Sequence, residues 1–184
     1  MKKLNLLLVL VMIIGTLGCC VFYYDSSRLT TYLLVIPVLV GPMLLNKTRF
    51  KLSSVELFWY YLFVFFADFL GCVVNLYNTV SWYDTVVHFS SGIFSFFVGL
   101  FLLDRLDKKV SNIFTKAIFG IGIVCLIAVV WEIFEFGSDV LLELDLQHNS
   151  DTGVVDTMVD MISALGGGMI GAGYYLIMGR HKKR

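Results

Sequence analysis

Three pairs of residues with metal-binding side chains recur at helical spacing in the second half of the chain: Asp84-x-x-x-His88, Glu132-x-x-Glu135 and Asp156-x-x-x-Asp160. Residues three or four apart share one face of a helix, so each pair points two donors in one direction, as metal sites in helix bundles require. Oxygen-rich donors with a single imidazole suit Mg²⁺, Mn²⁺ or Ca²⁺ and also admit Zn²⁺. Carboxylates crowded together with no cationic side chain among them cannot all stay ionised. They must share protons or hold a cation. The expected ligand set is Asp84, His88, Glu132, Glu135, Asp156 and Asp160, with Asp68 and Asp139 as supporting groups behind it. The expected cofactor is a divalent metal cation.

The elements that must position these residues follow from composition. The 184-residue chain is 58% hydrophobic and 15% charged, against about 45–50% apolar and about 25% charged in an ordinary soluble domain. Its mean hydropathy is +0.84. A soluble fold of this size would leave much apolar surface in water at roughly 25 cal/mol per Å², so the expected solvent is lipid and the expected partner is membrane lipid. A formal net charge of zero carries no basic footprint for nucleic acid. A spanning helix needs about 20 largely apolar residues, with a range of about 17–25. Six segments qualify, at about 4–24, 29–45, 55–77, 86–103, 113–136 and 155–178. The expected fold is an all-α polytopic membrane helix bundle of six transmembrane helices, a single integral-membrane domain over 1–184. Pro37 and Pro42 lead us to expect a kink or an early end in the second span.

Charge sorts by side. Lys2, Lys3, Lys47, Arg49, Lys51, Arg105, Lys108, Lys109, Lys116, Arg180, Lys182, Lys183 and Arg184 fall on one side of a six-span chain, and Arg28 alone falls on the other. The positive-inside rule then puts both termini in the cytoplasm of an inner or plasma membrane, with Lys116 expected to snorkel at its helix end. The first twenty residues also have the shape of a signal sequence, and Thr16-Leu17-Gly18-Cys19 is similar to a lipoprotein cleavage box except at Thr16. An uncleaved first helix is the expectation. The four cysteines form no C-x-x-C pair and read as small apolar filler. Asn46-Lys47-Thr48 matches a glycosylation sequon, but on the cytoplasmic side it carries no meaning.

Ten of the fourteen acidic residues lie at or beyond the external ends of the spans: Asp25, Asp84, Glu132, Glu135, Asp139, Glu143, Asp145, Asp151, Asp156 and Asp160. Asp68 sits in the outer half of the third span. A carboxylate at a helix centre in the bilayer costs about 2.5–3.5 kcal/mol on the translocon scale and marks a functional site by default. At 100° per residue, Asp84, His88, Ser91, Ser95 and Gly99 share one stripe. So do Ala128, Glu132, Glu135 and Asp139, provided the helix continues past Gly137. Asp156, Asp160, Gly167 and Gly171 form a third stripe, and Tyr61, Asp68, Cys72 and Asn75 a fourth. Small residues mark the packed face of a membrane helix, so the acids point into the bundle. Asp84, Asp156 and Asp160 could instead simply complement helix N-termini, but Glu132 and Glu135 lie toward a C-terminus, where negative charge is disfavoured. Glu143 and Asp145 alternate with leucines, as in a half-buried strand or surface segment.

The run Trp82-Tyr83-Asp84-x-x-x-His88-Phe89, then Trp131-Glu132-x-x-Glu135, then Asp156-Thr157-x-x-Asp160 followed by Gly166 resembles the YjdF-type multi-pass bacterial inner-membrane proteins. The resemblance extends from Ser81 to Gly171 and implies the topology and these positions, not a reaction. Val155 stands where that family's pattern favours an aromatic residue. A likeness of Gly153-x-x-Asp156-x-x-x-Asp160 to the tail of the CDP-alcohol phosphotransferase motif fails, because its preceding half is absent and the glycine is one residue too close. No G-x-S-x-G, H-E-x-x-H or P-loop occurs. Three classes of function remain. The first is a divalent-metal site acting on a lipid or envelope substrate through metal-bound water. The second is a scaffold or assembly factor with structural acids. The third is a cation or proton transporter, for which the nearly unbroken apolar inner halves of the spans are unfavourable.

Overall fold

The computed structural model describes residues 1–22, 29–45, 48–142, 146–147 and 154–181. Asp25, Arg28, Glu143, Asp145, His148 and Asp151, including the strand expected around Glu143 and Asp145, lie outside the described residues, as do Asn46, Lys47 and residues 182–184. The described elements are α1 (Lys2–Phe22), α2 (Leu29–Leu45), α3 (Ser54–Val64) continued by a π-helical stretch (Phe65–Val73), the short α4 (Leu76–Thr79), α5 (Tyr83–Leu106), α6 (Ile113–Leu142) and α7 (Val154–His181). No strand occurs among the described residues. In lipid every backbone polar group must be satisfied internally, which favours helices for such apolar runs. Five are long and apolar enough to cross a membrane: α1, α3 with its π continuation, α5, α6 and α7. At 17 residues α2 is shorter, at the lower limit for a span. The protein is a polytopic helical membrane bundle.

The chain divides into two compact units, Met1–Tyr83 and Asp84–Arg184. The first is built around Met12, Val35, Leu39, Tyr61, Val64, Phe69 and Val73. Its α1 is tied in by the Asn5 amide, which donates to the Ser54 carbonyl at 2.9 Å. Glu56, which interrupts the apolar run in sequence, closes a capping box. The Ser53 backbone donates to its carboxylate at 2.5 Å and the Ser53 hydroxyl accepts from its backbone N–H at 3.3 Å. Of the kink or early end expected of it, helix α2 does not show the early end, since it continues through Pro37 and Pro42 to Leu45. The physical reason lies in its neighbour. Pro42 has no N–H to offer the Val38 carbonyl four residues back, and the Tyr60 hydroxyl donates to that carbonyl instead, at 2.7 Å.

The third span also differs from expectation. Its α-helix ends at Val64 and the nine residues Phe65–Val73 are π-helical, so the span stops at Val73 rather than near 77. Asn75, at φ 75° and ψ 33°, then takes the left-handed conformation that turns the chain. The Phe66 carbonyl receives the Tyr83 hydroxyl at 2.7 Å. A π turn holds more residues than an α turn, so the stripe of Tyr61, Asp68, Cys72 and Asn75 drawn at 100° per residue does not survive it.

The second unit packs α5, α6 and α7 around Phe96, Val124 and Ala172. Helix α6 starts on Asn112, whose side-chain oxygen accepts from the Phe114 and Thr115 backbones at 2.9 and 3.1 Å. It continues past Gly137 to Leu142, as the acidic stripe on it requires. Lys116, in the first turn of α6, is paired with Asp104 near the end of α5. Helices α5 and α7 touch backbone to backbone. A Cβ on Gly92 would collide with the Ala164 carbonyl, and one on Gly167 with the Phe89 carbonyl. This reciprocal contact fixes the register of the two helices, and the site depends on that register.

Candidate functional site

Helix α5 carries Asp84 and His88 one turn apart, and His88 Nε2 lies 3.4 Å from Asp84 Oδ1. One turn further on, Gly92 lets α7 approach so closely that Asp160, one turn before Ala164, comes to face His88. His88 Nε2 is 3.9 Å from Asp160 Oδ2. Asp84, His88 and Asp160 each offer one donor atom, and these atoms all lie within 4.8 Å of one another. His88 and Asp160 are buried, Asp160 at 2% exposure, and Asp84 is partly open. The donor set of two carboxylates and an imidazole fits a divalent cation.

The other three expected ligands surround this group. Glu132 on α6 is 6% exposed and interacts electrostatically with His88 and Asp156. The Thr157 and Gln147 side chains hydrogen-bond its carboxyl. Its Oε2, however, is buried and has no hydrogen-bond partner among the described residues. Glu135 lies in electrostatic reach of His88 and Asp84, and the Trp131 indole donates to its Oε1 at 2.8 Å. Asp156 acts on Asp160 through its charge. Three of the six expected ligands thus meet within the 4.8 Å limit, and three stand close enough for their charges to bear on them.

Of the two supporting groups, Asp139 has a clear local role. Its carboxylate accepts from the backbone N–H groups of Leu146 and Gln147 at 2.7 and 3.0 Å. This holds the Leu146–Gln147 turn against the end of α6. Asp68 belongs to the first unit, where it lies on the π-helical stretch with Oδ2 buried and unpartnered among the described residues. Such stretches occur often at functional positions.

Two residues near the acids carry no assignment from sequence. Gln147 is buried, and its amide donates to the Thr157 hydroxyl at 3.1 Å and to the Glu132 main-chain carbonyl at 3.4 Å. A single glutamine in a connection between helices has no period to reveal it. Thr157 stands inside the Asp156-Thr157-x-x-Asp160 run, and only the folded contact distinguishes it from an ordinary first-turn threonine.

A curated protein of Thermotoga maritima, described as uncharacterized, is similar to this chain. It is 29% identical over 122 residues, which cover 64% of this chain and 55% of its own length. The match therefore spans about half of that relative. No solved structure matches the chain. A family model described as predicted membrane protein (DUF2238) matches residues 4–181, nearly the whole chain including all three acidic runs. The chain belongs to this family of membrane proteins.

Proposed function

We propose that the protein is a cell-membrane protein that holds a divalent cation on its outer side, with Asp84, His88 and Asp160 as the central donors and Glu132, Glu135 and Asp156 as the remaining ligands. The observation that carries this reading is Glu132 Oε2, a buried carboxylate oxygen with no hydrogen-bond partner among the described residues, beside the Asp84–His88–Asp160 group. Burying a carboxylate costs several kcal/mol on the order of magnitude of effective ion desolvation, and the hydrogen bonds of Glu132 from Thr157 and Gln147 leave Oε2 without one among the described residues. A cation shared with its neighbours offsets that cost. A metal held here would lower the pKa of a bound water and polarise an ester or phosphoryl oxygen, and membrane lipid is the substrate class that the position offers. Mg²⁺, Mn²⁺, Ca²⁺ and Zn²⁺ are the candidate ions, and Mn²⁺ is the useful probe because its free aqueous form gives an electron paramagnetic resonance signal. Titrating the detergent-purified protein with Mn²⁺ is expected to quench that signal saturably at one ion per chain. Absence of saturable binding of any of the four ions overturns the reading.

The basic residues support placing both termini in the cytoplasm and the acidic cluster outside. A fusion after Arg184 is expected to be active with a reporter that works only in the cytoplasm. Activity from a periplasmic reporter at that point would invert the topology. One observation favours a second reading, that of a scaffold with structural acids. A protonated His88 between Asp84 and Asp160 would balance part of the negative charge without metal.

A further inference from the structure

We infer that Gln147, acting with Thr157, is the positioning residue of the cluster: it holds one oxygen of Glu132 so that the other stays free for a ligand. This rests on the metal reading above and adds to it the part played by the connection between α6 and α7. Asp139 fixes the turn by accepting from the Leu146 and Gln147 backbones. The Gln147 side chain then reaches back between the helices, donating to the Glu132 carbonyl and the Thr157 hydroxyl. With Gln147 supplying a proton to its oxygen, the Thr157 hydroxyl is free to donate its own proton toward Glu132, whose carboxyl it hydrogen-bonds. The donors converge on Glu132: Gln147 donates to the Thr157 hydroxyl, and both side chains hydrogen-bond the Glu132 carboxyl. This arrangement leaves Oε2 as the unpartnered atom among the described residues. Ligating carboxylates are commonly oriented by such hydrogen bonds, and losing one typically costs about 10–100-fold in metal affinity.

The burial of Gln147, at 7% exposure, has a further consequence. A side chain from outside the helices can be buried here only while its turn is docked, so cation binding and docking of the turn favour each other reciprocally. The test measures the Mn²⁺ dissociation constant of wild type, Gln147→Ala and Thr157→Val, together with melting in excess chelator. The inference expects binding weakened about tenfold or more in each variant. It also expects the double variant to lose no more than the larger single loss, because both act on one oxygen. If Gln147→Ala does not fold, Thr157→Val carries the test, since it removes one hydroxyl at nearly constant shape. If wild type binds Mn²⁺ and the folded variants bind it equally well while melting lower in chelator, the two residues only stabilise the fold, and the inference is wrong. If wild type binds no metal ion at all, the reading of the site itself has failed.

Discussion

Asp160→Asn removes the part of thermal stability that depends on divalent metal. The substitution keeps the shape of the least exposed member of the Asp84–His88–Asp160 group and deletes its charge. A ligand that binds only the folded state stabilises it by about 2.7 kcal/mol when present at a hundredfold excess over its dissociation constant. For a chain of this size that corresponds to a rise in Tm of roughly 5–10 °C. Wild type is expected to show that rise between excess chelator and saturating Mn²⁺, and Asp160→Asn to show none. Glu132→Gln is expected to lose most of it, because the amide puts a weaker ligand in place of the carboxylate oxygen that has no partner among the described residues. In chelator both variants should melt at or above wild type, since each removes a buried negative charge from a crowded group. The opposite pattern, variants weakened in chelator with the metal-dependent rise intact, would make the acids structural.

The second large effect is expected at the crossing of α5 and α7. Gly167→Leu should leave no folded protein, because the Phe89 carbonyl occupies the space its Cβ needs and only separation of the helices relieves the collision. Gly92→Ala adds a single carbon against the Ala164 carbonyl. Overpacking of this kind costs about 1–3 kcal/mol and occasionally more, and here it also draws His88 away from Asp160. Gly92→Ala is therefore expected to lower both the melting temperature in chelator and the affinity for Mn²⁺. Gly122→Ala on α6 is the control, because a Cβ there meets nothing within 4 Å. Helix propensity alone favours that change by roughly 0.5–1 kcal/mol. Equal stability of the Gly92 and Gly122 variants would contradict the crossing.

The parts of the molecule legible in the sequence are those governed by helical period. His88 and Asp84 on one face of α5, Asp160 and Gly167 on one face of α7, and the continuation of α6 beyond Gly137 all follow from 100° per residue and the clustering of small residues. The limits of α2 follow from apolar length, with Tyr60 covering the one carbonyl that Pro42 leaves bare. What was not legible depends on contacts without a period. The π-helical stretch around Asp68 breaks the angular step on which its stripe was drawn. Lys116 meets Asp104 because α5 and α6 turn back on each other, which a count of loop charges does not reveal. Gln147 enters the site from a connection whose leucine alternation suggested a half-buried strand or surface segment. Helical period drew five acids and one histidine together as candidates, but which three of them meet depends on the backbone contact of Gly92 and Gly167.

Central to this account is the claim that a cation, rather than shared protons, balances the buried acids. Elemental analysis tests it most directly: the protein is extracted from its membrane in mild detergent without chelator, and each divalent metal is counted per chain. The account predicts close to one equivalent of a single divalent metal, retained through size-exclusion chromatography and reduced in Asp160→Asn. Protein that carries no stoichiometric metal, and takes up none when Mg²⁺, Mn²⁺, Ca²⁺ or Zn²⁺ is supplied, would contradict it. The acids and His88 would then form a proton-sharing network.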